Sequence, residues 1–258
     1  MIGLDHTRAS FSLAGRTALI TGASRGIGQA LAVAFAGAGA DVVITARRRE
    51  ALDETSALVA AAGASAEALV LDVRLTGEIA AAVSSLGRPL DILVNNAGIE
   101  SVRPSLDVEE ALWDTILDTN LKGAFFCSQA FARLPARDDR GRAILNLCSL
   151  TSEVGIPTAV PYGTSKTGLV GMTRALSAEW APAGIRVNGI GPGYFRTGMT
   201  EGFYADPDWQ RAMLAKIPLG RFGRLEDLMG AAIFLCSPAA AYITGQVLYV
   251  DGGTLASI

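Results

Sequence analysis

Tyr162 and Lys166 stand four residues apart in the stretch VPYGTSK. Four residues is about one helical turn, so on a helix the phenol and the ammonium share a face. Two readings follow. One is an amphipathic helix with a half-buried tyrosine and a lysine at its rim. The other is a catalytic acid/base whose pKa is lowered by the neighbouring cation. Other proton-transfer groups are scarce. The one histidine, His6, lies in the leading segment. No second imidazole exists to activate a serine or cysteine nucleophile or to ligate a metal. A Ser-His-Asp hydrolase would need His6 to fold back into a site. Proton transfer therefore falls to tyrosine, lysine or carboxylates.

The elements that must position such a pair alternate without a break. Apolar strands are predicted at 17–21, 41–46, 67–71, 91–95, 143–148, 185–190 and 247–250, with helical runs between them, the first near 26–38 and the second near 48–62. Strands apolar on both faces and alternating with helices imply a parallel sheet covered on both sides. The expected fold is α/β: a single Rossmann domain over 1–258 with a doubly wound seven-stranded parallel sheet. Ligands on such a sheet bind beyond the carboxyl ends of the strands. The first of these ends carries TGASRGIG, with Gly22, Gly26 and Gly28. Glycines there let the backbone approach a pyrophosphate, and the following helix N-terminus points N–H groups at it. A purely structural tight turn has the same local sequence.

Composition narrows the classes. Of 258 residues, 50% are hydrophobic, enough for a sizeable core, and the net charge is −3. That balance does not suit a nucleic-acid binder. The most apolar window, ALAVAFAGAGA, is stopped by Asp41 and is too short for a membrane span. Cys127, Cys148 and Cys236 are far apart and odd in number. They are read as buried reduced thiols, with no disulfide framework and no metal site. A cytoplasmic protein is expected.

TGASRGIG, NNAG at 95–98, Ser149 and YGTSK at 162–166, in this order and spacing, resemble the classical short-chain dehydrogenase/reductase family. NLKG from Asn120, GPGYFRT at 191–197 and VDGG at 250–253 extend the resemblance over nearly the whole chain. It implies hydride transfer between a nicotinamide coenzyme and a carbonyl or secondary alcohol, with Asn120, Ser149, Tyr162 and Lys166 as the catalytic set. Tyr162 would exchange the proton. A phenol ionises near pH 10, so work near pH 7 asks for a fall of about 3 units, or ~4 kcal/mol. Lys166 and an oxidised nicotinamide would supply the positive charge. Ser149 would hold the substrate oxygen, and Asn120 would line a water-filled proton path to Lys166. Tyr162 and Lys166 would also touch the coenzyme.

The coenzyme can be argued further. An NAD site places an acid about 20 residues beyond the glycine turn. Here Ala46 holds that place, followed by Arg47 and Arg48, with Arg25 in the glycine turn. Arginine forks suit a 2′-phosphate, so NADP(H) is the expected coenzyme, with NAD(H) as the alternative. The resemblance implies Asp72 and Val73 at the adenine, Asn95, Ala97 and Gly98 at the ribose, and Thr197 at the nicotinamide amide. It adds Ser24, Ile27, Pro192, Gly193 and Phe195 to the coenzyme contacts.

FSLAG, SEVG, GPGYFRTGMT and GAAIFL look most like the gluconate 5-dehydrogenase-like branch, which suggests a keto-sugar acid or polyol as the small-molecule substrate. Arg103 is the candidate anchor for a carboxylate, or else a surface residue. Glu153 is a candidate to bind a polyol hydroxyl or to cap a local turn. The connection 194–218 carries Tyr194, Phe195, Phe203, Tyr204 and Trp209 without a regular helix before DPDWQ. Its aromatics are read either as a mobile substrate lid, Tyr194 included, or as packing for a surface helix. Alternatives to the sugar reading are a 3-oxoacyl carrier-protein reductase, a general carbonyl reductase and a non-catalytic dinucleotide-binding protein. The resemblance implies a homotetramer, with contacts around Phe125–Arg133 and the C-terminal segment.

Overall fold

The computed structural model describes residues 10–138, 140–198 and 200–257, apart from the Phe203 side chain. His6 and the lid role of Phe203 lie outside the described residues. In chain order the elements are β1 (Thr17–Ile20), α1 (Gly26–Gly37), β2 (Asp41–Ala46), α2 (Asp53–Ala61), β3 (Ala66–Val70), α3 (Thr76–Ser84) and β4 (Ile92–Asn95). They continue with α4 (Glu110–Leu117), α5 (Gly123–Arg133), β5 (Arg142–Leu147), α6 (Val160–Trp180), β6 (Ile185–Pro192), α7 (Glu201–Tyr204), α8 (Pro207–Leu214), α9 (Leu225–Cys236) and β7 (Val247–Val250).

All seven strands join one parallel sheet in the order β3-β2-β1-β4-β5-β6-β7. Successive residues in the central strands face opposite layers, and both layers are apolar, hence the unbroken hydrophobic runs. Ile20, Ile44 and Val94 pack with Leu31 and Phe35 of α1 and Leu228 and Leu235 of α9. Leu19, Val43 and Leu93 pack on the other face with Ile79 of α3, Phe131 of α5 and Leu176 of α6. The second helical run starts as a 3-10 turn, Arg49–Leu52, before α2.

The chain winds outward from β1 to β3 and returns to β4 beside β1, so the winding direction reverses between β1 and β4. The turns that follow these two strands touch. A Cβ on Gly22 would lie 2.8 Å from the Ala97 Cα, and Gly22 has φ 64°, which favours glycine. Among the described residues, no helix is long and apolar enough to cross a membrane. All three cysteines are buried and free.

Candidate active site

A cleft of about 700 Å³ opens along the carboxyl ends of the strands. The turn after β1 lines it with Gly22, Ser24, Arg25, Gly26 and Ile27. Gly28 supports this turn from behind. Its Cβ would lie 2.4 Å from Asn96 Nδ2 and 2.5 Å from the Gly22 carbonyl oxygen. Asn96 Nδ2 donates to the Thr21 and Gly22 carbonyls, both at 2.9 Å. Thr21 Oγ1 accepts from the Asn96 and Ala97 N–H groups, both at 3.0 Å. These bonds lock the turns after β1 and β4 into one unit. Between them they leave a glycine-walled groove beside the N-terminus of α1, a cradle that fits a pyrophosphate.

At one side of this cradle Ala46, Arg47, Asp72, Val73 and Arg74 line the cleft with Arg25. Asp72 is gripped by a fork from Arg74, Nε to Oδ1 at 3.0 Å and Nη2 to Oδ2 at 2.6 Å, which holds its carboxyl below the usual range. Arg74 was not among the expected residues. Its place two positions beyond Asp72, in the turn after β3, was the available signal. Arg25 and Arg47, with no acid at the end of β2, make a donor set suited to a 2′-phosphate, while the Arg74 fork is taken up by Asp72. Arg48, by contrast, is exposed at the start of the 3-10 turn and does not line the cleft.

At the other side Ser149, Tyr162 and Lys166 line the same cleft with Gly98, Pro192, Gly193, Tyr194, Phe195 and Thr197. Pro161 sits in the first turn of α6, where its missing N–H costs nothing. The next residue, Tyr162, faces the cleft, and Lys166 follows one turn on. Lys166 is 4% exposed. Its Nζ donates to the Leu147 carbonyl at 2.6 Å and lies 5.5 Å from the centre of the Tyr162 ring. Ser149 stands two residues beyond β5 and caps the 3-10 turn Leu150–Ser152, its Oγ accepting from the Thr151 N–H at 3.2 Å. That bond leaves the hydroxyl proton for another acceptor.

The expected acidic phenol requires correction. With the chain's own groups alone, burial pushes the Tyr162 pKa up, and Glu100 pushes it further, while Ser149 as a hydrogen-bond partner favours the phenolate. Burial also pulls Lys166 down, from 10.5 to about 8. Burial thus opposes the charged form of both groups.

Three further expectations, for Asn95, Arg103 and Glu153, are corrected by position, and Asn120 is placed beside them. Asn95 does not reach the cleft. Its Nδ2 donates to Ser128 Oγ and Asn146 Oδ1, both at 2.8 Å, inside the helix-sheet layer, and its neighbour Asn96 lines the cleft instead. Arg103 is exposed and outside the cleft wall, and its backbone N–H donates to the Thr158 carbonyl at 2.7 Å. Glu153 does not line the cleft; it is the C-cap of the Leu150–Ser152 turn, its N–H donating to the Leu150 carbonyl at 2.9 Å. It accepts from Tyr249 Oη at 2.7 Å and so ties that turn to β7. Asn120 sits in a π-helical turn between α4 and α5, 1% exposed. Its amide accepts from the Ile99 N–H at 2.8 Å and donates to the Ile99 carbonyl at 2.9 Å and Ser165 Oγ at 3.0 Å. It clamps the segment that leaves β4.

The 194–218 connection is more ordered than its sequence suggests. It holds the one-turn helix α7, and Asp206 caps α8 by accepting from the Asp208 and Trp209 N–H groups at 2.9 and 3.3 Å. Tyr204 meets Trp209 at 5.2 Å and Phe222 at 4.8 Å between ring centres, and Tyr194 meets Trp209 at 5.9 Å. Tyr194, Tyr204 and Trp209 face the cleft. Glu100, Thr151, Thr158 and Lys216 also line it and were not expected from the motifs. Glu100 stands two residues beyond NNAG, at a strand's carboxyl end, where any polar residue merits attention.

A glycine-walled cradle at the reversal of a parallel sheet, joined to a Ser-Tyr-Lys wall, defines a nicotinamide-dependent oxidoreductase. The model of the family described as enoyl-(acyl carrier protein) reductase matches residues 22–254. The gluconate 5-dehydrogenase of Gluconobacter oxydans (strain 621H) is 41% identical over 96% of this chain and 98% of its own. A candidate short-chain alcohol dehydrogenase solved from Sinorhizobium meliloti 1021 is 63% identical, with a TM-score of 0.90 over 96% of this chain and 99% of that one. A gluconate 5-dehydrogenase from Burkholderia cenocepacia J2315, solved with NADP and tartrate, is 38% identical, with a TM-score of 0.91 over 97% of this chain and 99% of that one. The chain belongs to the short-chain dehydrogenase/reductase family.

Proposed function

We propose that the protein is an NADP(H)-dependent oxidoreductase that interconverts a ketone and a secondary alcohol on a keto-sugar acid or polyol. The observation that carries this reading is that Ser149, Tyr162 and Lys166 open onto the same cleft as the glycine cradle. The gluconate 5-dehydrogenase relatives support the substrate class. All three side chains are present and share that wall, which disfavours a non-catalytic binding protein.

Gly22, Gly26, Gly98 and the N-terminus of α1 would hold the pyrophosphate and ribose, and Arg25 and Arg47 would hold the 2′-phosphate. When bound, the coenzyme supplies or accepts the hydride, and its oxidised ring brings a positive charge to the site. Ser149 donates its free hydroxyl proton to the substrate oxygen and sets it against the phenol. Tyr162 gives its proton to that oxygen in reduction and takes it back in oxidation. Lys166 Nζ donates one N–H to the Leu147 carbonyl at 2.6 Å, and its other N–H groups would serve the phenol and the coenzyme ribose. Asn120 fixes the loop that walls this corner and lines the route by which Lys166 is reprotonated.

The chain acts as one dinucleotide-binding domain, with 194–218 as a lid whose Tyr194, Tyr204 and Trp209 close over the substrate. No metal takes part. The working form is a cytoplasmic homotetramer, and the fully exposed Tyr242 and the edge-strand Leu248 are its C-terminal contacts. Steady-state rates on sugar acids, polyols and β-ketoacyl thioesters with each coenzyme test the reading. Turnover of a polyhydroxy ketone or alcohol with NADP(H) favoured is the expected result. Turnover of thioesters alone, or a clear NAD(H) preference, contradicts it.

A further inference from the structure

The cation expected to anchor a substrate carboxylate lies outside the cleft, and a carboxylate stands inside it. Glu100 is half-buried and lines the wall that also carries Ser149, Tyr162 and Lys166. Its backbone position is fixed. The residue before it, Ile99, is held through both its N–H and its carbonyl by the buried Asn120 amide, at 2.8 and 2.9 Å. Among the described residues no hydrogen-bond donor reaches the Glu100 side chain; burial pushes its carboxyl pKa up, and Lys166 opposes that rise. The Glu100 oxygens are not sealed off as buried unpartnered atoms, so they face the cleft and are open to a donor on whatever enters it.

We propose that Glu100 accepts a hydrogen bond from a substrate hydroxyl close to the reacting carbon and so selects neutral polyols and ketoses over their carboxylate-bearing counterparts. The inference rests on the reading given above and narrows its substrate class. A hydroxyl supplies the donor that Glu100 lacks. A carboxylate at the same depth brings two like charges together in a partly dry site, where their repulsion is weakly screened. Discrimination of this kind comes from an unfavourable contact with the rejected compound as much as from a favourable one with the accepted compound. Among the described lining residues, the cation outside the coenzyme side besides Lys166 is Lys216, and it is exposed at the rim. An acid anchored there would extend toward solvent and away from Glu100.

The test compares kcat/KM with NADPH for neutral ketoses and for keto-aldonates of the same chain length, in the wild type, Glu100→Gln and Lys216→Met. The Gln variant keeps the size and removes the charge. The wild type is expected to favour the ketoses by about tenfold or more, and Glu100→Gln to shrink that ratio by about tenfold. The NADPH KM and the ratio in Lys216→Met should stay near wild type. A wild-type preference for the aldonates that Lys216→Met removes and Glu100→Gln leaves alone overturns the inference while the proposed reaction stands. If neither compound class is turned over with either coenzyme, the proposed reaction itself falls, and the inference with it. Inhibition by unreactive polyols and aldonates gives a second readout on the wild type alone, with tighter polyol binding expected and tighter aldonate binding contradicting.

Discussion

Lys166 is a cation held where burial opposes its charge. Its folded pKa of about 8 lies below its ordinary 10.5, so between these values the unfolded chain holds the proton more tightly. Folding bears the penalty in full below about pH 8, and raising the pH toward 10.5 removes it. The buried thiols Cys127, Cys148 and Cys236 and the raised Tyr162 phenol act in the opposite sense, because folding raises their pKa values. The clean readout is therefore the difference between the wild type and Lys166→Met. The variant should be more stable at pH 7.5 by roughly 1–3 kcal/mol in urea unfolding, and the gap should close by about pH 10. A gap that does not change with pH contradicts the account. The Tyr162–Lys166 pair was legible in the sequence because one turn of helix brings the two together whatever the fold. The direction of its pKa values was not, because burial and Glu100 depend on tertiary neighbours.

At the scale of elements, the hydrophobic runs of the strands revealed the sheet, and the turns that follow them revealed most of the cleft. Errors gathered where one residue decides which way a side chain faces. Asn95 is the last residue of β4 and still obeys its alternation, so it points into the layer under α5. Asn96 has left the strand and turns to the cleft. Arg103 was misplaced because nothing in its sequence encodes the pairing of its backbone with Thr158. The buried chain runs from Asn95 to Asn146, whose Nδ2 donates to Thr173 Oγ1 at 2.8 Å on α6. Asn95→Ala deprives Ser128 and Asn146 of their donor. It should lower stability by about 1–3 kcal/mol in urea unfolding and leave NADPH affinity within a few-fold. Full stability with lost coenzyme binding would return Asn95 to the ribose.

At the scale of the whole molecule, the reversal of winding between β1 and β4 brings distant segments together. The turn after β1, the loop leaving β4, the end of β5, the first turns of α6 and the segment after β6 meet around one cavity. The parallel sheet covered on both faces followed from the α/β alternation. The aromatic cluster of Tyr194, Tyr204, Trp209 and Phe222 did not, because its members pair across the loop after β6, the short helices α7 and α8 and the loop before α9. The central claim is that this cavity joins a coenzyme cradle to a proton-transferring phenol. Tyr162→Phe keeps the ring and removes the exchangeable proton, so turnover and NADPH affinity measured on that variant together test the claim most directly. The account predicts NADPH binding within a few-fold of wild type and a fall in kcat of about 10²–10⁴-fold. Undiminished turnover in Tyr162→Phe would contradict it.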